Sequence, residues 1–482
     1  MENNHQNTII NKIQELNLIV GDTIYFIGIG GIGMSAIARY CNAKGFNVEG
    51  YDKTQTALTT QLQEEGINII FDDALELVNE KAKLIVYTPA IPPNNPQLNY
   101  YKTNSYVVVK RSDILQWITA NTYTIAIAGT HGKTTTSSMV AHILRHSGYG
   151  CTAFLGGIAA NYNTNYWHSP SENGKDVIVV EADEYDRSFL KLNPNIAIIT
   201  SVDADHLDIY GTANEVINAF VDFSKKIEHN GCLIVKHNLP CANDFTTKDI
   251  CTYDYNNSHA NTYTTNLEVK EGYYEFDVVN TNWFLPKLQL FMGGLHNIEN
   301  CIAAISVAKY LNIDDEKITL AVKEFKGVKR RFEYIIKPVY NISLDNGTNT
   351  GVTFIDDYAH HPQELKALIT GVKSMFGSKK LTLVFQPHLF SRTQDLVNDF
   401  ADVLSTVDDL VLLPIYPARE LPIEGVTSNW LLEKISMDSK QCLSKTDLLT
   451  YVQQQKPQLL VMAGAGDIDT LINPIKEILN TK

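Results

Sequence analysis

The chain has 482 residues, 44% apolar and 20% charged, an ordinary balance for a globular protein, and at about 150 residues per domain it holds roughly three domains. Its net charge of −14 and pI near 5.4 argue against a broad nucleic-acid footprint or adhesion to an anionic membrane. Phosphorylated small molecules, which need only local positive groups, stay in range.

The N-terminal third opens without a basic region followed by an apolar core, so no signal peptide is expected. A strand is predicted at 24–27, then the turn Gly28-Ile-Gly30-Gly31-Ile32-Gly33-Met34-Ser35, a helix, and a second strand closing on Asp52. Glycines at 28, 30 and 33 with an acidic residue ending the next strand form a Rossmann fingerprint. Physically it specifies a diphosphate lying against a helix N-terminus, which NAD and UDP both offer. With NAD, Asp52 would meet a ribose hydroxyl. Strands are also expected at 84–87 and 106–109. Between them the proline-rich loop 88–96 stands at a strand's carboxyl end, where open α/β sheets bind ligands, or it simply stiffens the chain.

The middle third begins with an apolar run into Gly129-Thr130-His131-Gly132-Lys133-Thr134-Thr135, followed by apolar residues at helical spacing, Met139, Val140, Ile143 and Leu144. This is the layout of a phosphate-binding loop, with Lys133 in reach of β/γ-phosphates and the Thr134 hydroxyl of Mg²⁺. The longer form of the motif would place a glycine where Ile127 stands, so the loop is a shortened variant. Two more buried-type strands end in acidic clusters, Glu181-Ala-Asp183-Glu184 and Asp203-Ala-Asp205-His206-Leu-Asp208. In a parallel sheet all three strand ends open on one edge, and oxygen ligands with one imidazole there suit Mg²⁺ bridging phosphates. Residues 244–286 read as short antiparallel strands without chemistry. His296 and Asn300 then share one face of an Ala/Ile-rich helix, the plainer alternative being a helix cap at Asn297 beside a surface histidine.

The final third starts at a basic turn, Lys329-Arg330-Arg331, which serves as a hinge or a phosphate clamp. A strand ends in Asp356-Asp357-Tyr358-Ala-His360-His361, and another leads to Gln386-Pro-His388-Leu-Phe-Ser391-Arg392. Further strands are expected at 410–413 and 459–462, the latter before Gly464-Ala-Gly466. The adjacent histidines diverge and have no third ligand at metal-like spacing, so zinc is not expected. The seven cysteines are dispersed with no C-x-x-C pair, which reads as reduced thiols in the cytosol. No apolar run approaches the length of a membrane span.

As a set these motifs resemble the Mur ligase family. The resemblance covers nearly the full chain and rests on GIGGIGMS (28–35), GTHGKTT (129–135), EADE (181–184), DADHLD (203–208), HN-x-x-N (296–300), RRFE (330–333), DDYAHHP (356–362) and QPH-x-x-x-R (386–392). It implies an α/β chain of three domains: a Rossmann-like domain at 1–120 for a UDP-sugar, a central P-loop ATPase-like domain at 121–328, and a Rossmann-like C-terminal domain at 329–482 for an amino acid. Most relatives carry a carbamylated lysine fifteen residues after the metal histidine. Counting from His206, this chain has Val221 there, which resembles the branch that adds L-alanine to UDP-N-acetylmuramate. The tripeptide-recycling branch also lacks that lysine, but its glycine turn is usually less regular. Thr88-Pro89 stands where the family often has two serines, and Tyr185 and Arg187 replace smaller residues.

By this resemblance the reaction is cytoplasmic, uses ATP and Mg²⁺, and passes through an acyl phosphate. Gly28 to Ser35 and Asp52 take the UDP-sugar, and Gly129 to Thr135 take the triphosphate. Thr134 and Glu181 hold one Mg²⁺ and His206 a second. His296, Asn297 and Asn300 flank the adenine, while Arg331 and Asp357 touch ribose or phosphate. Tyr358, His360, His388 and Arg392 form the alanine pocket, with the Arg392 fork on the carboxylate. His360 either accepts the ammonium proton or positions the amine. Domain closure is expected, and a homodimer is left open. An NAD-dependent oxidoreductase, the main rival from another class, would leave the phosphate loop and the C-terminal motifs idle.

Overall fold

The structure is a computed structural model and describes residues 2–172, 174, 176–205, 207–337, 351–418 and 420–480, without the side chains of residues 2–8 and 208. Strands β1 (Thr23–Ile27), β2 (Asn47–Tyr51), β3 (Asn68–Ile70), β4 (Ala82–Tyr87) and β5 (Val107–Lys110) lie in the order β3-β2-β1-β4-β5, every pair parallel. All of β1 is buried, which is why it reads as a continuous apolar run instead of an alternating one. The strand order reverses between β1 and β4, so the glycine turn after β1 opens at the switch point where such sheets take ligands. The proline loop runs into the helix Pro96–Thr103. There Asn95 accepts the Leu98 N–H at 2.9 Å and Pro96 takes the first turn.

Strands β6 (Tyr123–Ala128), β7 (Cys151–Ala159), β8 (Thr164–Ser169), β9 (Val177–Glu181), β10 (Ile196–Ile199), β11 (Cys232–Lys236) and β12 (Asp249–Asp254) follow in the order β12-β11-β10-β6-β9-β7-β8. β6 is parallel to both neighbours, with Ile127 opposite Glu181 and Ala128 opposite Ile199. The phosphate loop and both acidic clusters therefore open on one edge, as expected. β12 departs from the antiparallel expectation and pairs with β11 in parallel. Residues 237–248 give the chain room to cross back instead of turning in a hairpin. β13 (Thr262–Lys270), β14 (Tyr273–Asn280) and β15 (Trp283–Leu290) are successive neighbours, and the alternating Tyr274, Phe276 and Val278 are buried.

Strands β16 (Glu333–Ile336), β17 (Thr353–Asp357), β18 (Leu381–Phe385), β19 (Asp409–Leu412), β20 (Lys440–Cys442) and β21 (Leu459–Ala463) form the third sheet, ordered β16-β17-β21-β18-β19-β20. Among the described residues, only β16 runs antiparallel to its neighbour in this sheet. Two compact units divide the chain. One holds Met1–Tyr263, Val279–Trp283 and Glu299–Ala321, and the other holds Thr264–Val278, Phe284–Ile298 and Val322–Lys482. Each has its own core: Phe26, Leu84, Ala128, Val180 and Ile199 are buried in the first, and Phe354, Val384, Val411 and Met462 in the second. All seven cysteines are free thiols. Among the described residues no helix is long and apolar enough to cross a membrane.

Candidate active site

The turn from β6 into the helix Lys133–His146 is built on two glycines that no other residue could replace without strain. Gly129 has φ 133°, and a Cβ there would stand 2.0 Å from Thr200 Oγ1; Gly132 has φ 82°, and its Cβ would stand 2.6 Å from Asn300 Oδ1. The shortened motif has a plain cause. Ile127 is still a fully buried strand residue, opposite Ile198 on one side and Glu181 on the other, so the turn begins only after Ala128. The loop is tied to the end of β10. Thr130 Oγ1 lies 2.8 Å from Ser201 Oγ, which also accepts the His131 N–H at 2.8 Å. Thr135 is buried in the first helical turn, and Thr136 Oγ1 donates to Asn300 Oδ1 at 3.1 Å. Thr200 and Ser201 escaped sequence reasoning, their one signal being a place at a strand end.

Lys133 Nζ donates to Gly129 O and to Glu184 Oε1, each at 2.7 Å. Burial pushes the Glu184 carboxyl up, against the pull of Lys133. Thr134 Oγ1 donates to Glu181 Oε1 at 3.1 Å, and the other Glu181 oxygen accepts the Gly156 N–H at 2.9 Å. A hydroxyl and a carboxylate side by side on a phosphate loop fit Mg²⁺, which takes oxygen ligands and keeps several waters. His206 lies outside the described residues.

At the other glycine turn, Gly28 has φ 85°, and a Cβ would stand 2.6 Å from Thr88 Cγ2, so Thr88 closes over it. Asp52 spends its carboxylate on the turn itself, accepting the Gly30 N–H at 2.8 Å and the Thr54 N–H at 3.1 Å. Gly31 is the N-cap of the helix Ile32–Ala43, in whose first turn Met34 and Ser35 are buried. Asn165 of β8, fully buried, donates to Ile32 O at 2.5 Å and to Ser35 Oγ at 2.9 Å, and accepts from Arg39. A Cβ on Gly33 would stand 2.3 Å from Arg111 Nη1, while Arg111 Nη2 donates to Asp183 Oδ2 at 2.8 Å. Asp183 is held below the usual carboxylate range: burial raises it, but the charge of Arg111 and the Tyr185 N–H outweigh that. Neither Asn165 nor Arg111 stood in a motif. Tyr185 is exposed, and Arg187, at φ 57°, lies 4.9 Å over the Tyr210 ring.

In the second unit, the half-buried arginine of the basic turn is Arg330. Its Nη2 donates to Gly464 O at 2.5 Å, its Nε lies 3.4 Å from Asp356, and its guanidinium stands 5.1 Å over the Tyr358 ring. Arg331 is exposed beside it. Asp357 accepts the Phe332 and Ala359 N–H groups, each at 2.7 Å, and burial pushes it up to about 6 in spite of them. His296 is exposed, whereas Asn297 is buried and donates to Gly293 O at 2.7 Å.

The four residues expected around the amino acid converge. The His360 ring stands 5.2 Å from Tyr358 and 5.9 Å from His388, and Arg392 Nη1 lies 3.5 Å from His388 Nδ1. His360 Nδ1 lies 2.9 Å from Tyr358 O, a carbonyl that can only accept, so Nδ1 carries the proton and neutral His360 presents a bare Nε2. Burial, then the charge of Arg392, lower the His388 pKa, and a proton on His360 would lower it further. The structure adds two members that sequence reasoning missed. Tyr416 stacks on His388 at 5.7 Å, and Glu420 accepts the Ser391 N–H at 3.1 Å and its hydroxyl at 2.5 Å. Those bonds, with the charge of Arg392, hold Glu420 below its ordinary range. Both belong to an irregular loop after β19, where no periodic pattern marks them.

At their strand ends the sheets thus carry a glycine turn that suits a diphosphate, a loop with an acidic cluster that suits a nucleotide triphosphate, and a histidine–arginine cluster that suits a small zwitterion. Together they define a ligase that joins an acid to an amine by nucleotide-driven activation. Family models match in the same order: Mur ligase family, catalytic domain, over residues 23–123; Mur ligase middle domain over 127–308; and Mur ligase, glutamate ligase domain, over 344–467. The chain belongs to the Mur ligase family. It is 44% identical over 472 residues to a UDP-N-acetylmuramate–L-alanine ligase of Flavobacterium psychrophilum, covering 97% of this chain and 100% of that one. It is 43% identical over 466 residues to one of Porphyromonas gingivalis strain W83, covering 95% and 99%. The crystal structure of UDP-N-acetylmuramate-alanine ligase MurC from Thermotoga maritima matches with a TM-score of 0.77 at 26% identity, over 94% of this chain and 98% of that one. A murein peptide ligase from Psychrobacter arcticus matches at 0.62 and 21%, over 96% and 99%, a likeness of fold.

Proposed function

We propose that this chain joins L-alanine to the lactyl carboxylate of UDP-N-acetylmuramate with cleavage of ATP to ADP and phosphate, a cytoplasmic step of peptidoglycan precursor synthesis. The observation that carries the reading is the convergence of Tyr358, His360, His388 and Arg392 on one sheet edge. The near-full-length identity to alanine ligases supports it. The domains are assigned to 1–120, 121–328 and 329–482, in the order of the family matches.

A carboxylate is a poor electrophile in water. Transfer of the γ-phosphoryl group makes it an acyl phosphate, and the amine then attacks through a tetrahedral intermediate that expels phosphate. Phosphoryl transfer depends mainly on positioning and charge neutralisation. Gly129 to Thr135 cradle the triphosphate, and Lys133 exchanges Glu184 for the β/γ-phosphates. Thr134 and Glu181 would hold Mg²⁺, which supplies charge neutralisation on the phosphates; His206 is assigned a second ion on sequence grounds. The turn Gly28 to Ser35 seats the UDP-sugar, with Asp52 bracing it from behind. His296, Asn297 and Asn300 are assigned to the adenine, and Arg331 and Asp357 to ribose or phosphate. Arg392 takes the alanine carboxylate. His360 Nε2 has the lone pair to accept the ammonium proton, and burial and the charge of Arg392 hold the His388 pKa down beside it.

Phosphate release from ATP and UDP-N-acetylmuramate, measured with each amino acid in turn, tests the reading. L-alanine should give the highest kcat/KM, and Lys133→Ala should lower turnover by at least about a hundredfold. Preference for a tripeptide, or amine-independent ATP cleavage, overturns it.

A further inference from the structure

In the first unit a cavity of about 150 Å³ is lined by Gly33 of the glycine turn, by Glu181 at the end of β9 and Asp183 just past it, and by Phe154, Phe189 and Arg111. It links the turn that seats a diphosphate to the carboxylate that faces the phosphate loop. Arg111 is the only cationic side chain among the described residues lining it. The missing Cβ of Gly33 makes room for its guanidinium, with Nη1 2.3 Å from where that atom would be, and Asp183 orients it from the other side at 2.8 Å. The helix Arg111–Thr119 is anchored by its buried Ile114 and Ile118, and two carboxylates line the same small space.

We propose that Arg111 is a substrate-binding residue that receives the carboxylate about to be activated. This deepens the functional reading and rests on it. An anion entering a cavity walled by Glu181 and Asp183 is repelled unless a fixed cation faces it, and a guanidinium held from one side keeps a fork of donors for a second carboxylate. Gly33 acquires a second task on this account: beyond freeing the turn, it lets the cation stand between the diphosphate and the reacting carboxylate. Arg111 holds the carboxylate near Glu181 and does no chemistry.

The test is calorimetric titration of the whole chain with UDP-N-acetylmuramate and, separately, with UDP-N-acetylglucosamine, which has the same nucleotide and sugar without the lactyl carboxylate. Arg111→Gln should weaken UDP-N-acetylmuramate binding by about tenfold or more and leave UDP-N-acetylglucosamine within about twofold. Arg111→Lys, which keeps charge and volume, should fold if the glutamine variant does not, and should raise the KM for UDP-N-acetylmuramate with kcat and the ATP KM near wild type. Equal weakening of both sugar nucleotides places Arg111 on the diphosphate and overturns the proposal. So does unchanged binding of both, or an ATP affinity that falls in step. If wild type itself fails to bind UDP-N-acetylmuramate, the functional reading fails instead.

Discussion

At the end of β17 two adjacent carboxyls are pushed up by burial, Asp356 to about 7 and Asp357 to about 6, yet they meet it differently. Asp357 accepts two backbone N–H groups, whereas Asp356 is 2% exposed, has one oxygen without a hydrogen-bond partner, and relies on Arg330 at 3.4 Å. A carboxyl whose folded pKa is raised contributes stability that is complete below its unfolded value and lost as pH climbs through the folded one. For Asp356 that window runs from 3.8 to about 7. Asp356→Asn keeps the shape and an acceptor for Arg330 but cannot ionise. The variant should therefore gain on wild type as pH rises from about 4 to about 8, by at most on the order of 4 kcal/mol. Urea unfolding of both proteins across that range measures it, and parallel stability curves would show that Asp356 does not titrate there.

At the scale of elements, the phosphate turn depends on Gly132 more than its helix does. Alanine at φ 82° costs about 1–2 kcal/mol, and its Cβ would press on Asn300 Oδ1, the acceptor of Thr136. Gly132→Ala should raise the ATP KM about tenfold and leave UDP-N-acetylmuramate affinity unchanged, since the glycine turn after β1 shares none of these contacts. Steady-state kinetics with each substrate varied checks this, and an unmoved ATP KM would remove the loop from nucleotide binding. What was legible in the sequence follows the same division. Strands such as β1, β6 and β9 are largely apolar runs, and the glycine and acidic motifs sit at their carboxyl ends, so both element and edge could be read. The partners that fix those motifs could not. Ser201 on Thr130, Asn165 on Ile32, Arg111 on Gly33 and Tyr416 on His388 join segments far apart in sequence, and each is a single residue with no period to announce it. The parallel pairing of β12 was hidden likewise, because a strand's composition does not state the direction of its neighbour.

For the whole molecule, the two compact units divide the candidate site residues as well as the chain. The glycine turn, Arg111 and Lys133 belong to the first, while Tyr358, His360, His388 and Arg392 belong to the second, and each unit buries a core of its own. A ligand that binds one folded unit stabilises that unit by mass action, by about 2.7 kcal/mol at a hundred times its dissociation constant. Scanning calorimetry should accordingly resolve two components, with a calorimetric enthalpy larger than the van't Hoff value of either. UDP-N-acetylmuramate alone should raise the midpoint of one component and L-alanine alone that of the other. Arg392→Lys should blunt only the alanine shift, because lysine keeps the charge but loses the paired donors that match a carboxylate. A single two-state transition moved as a block by either ligand would mean that the separate cores do not unfold independently. In that case binding energy taken up by one unit would stabilise the other, and the sugar and amino-acid affinities would have to be coupled by the same free energy.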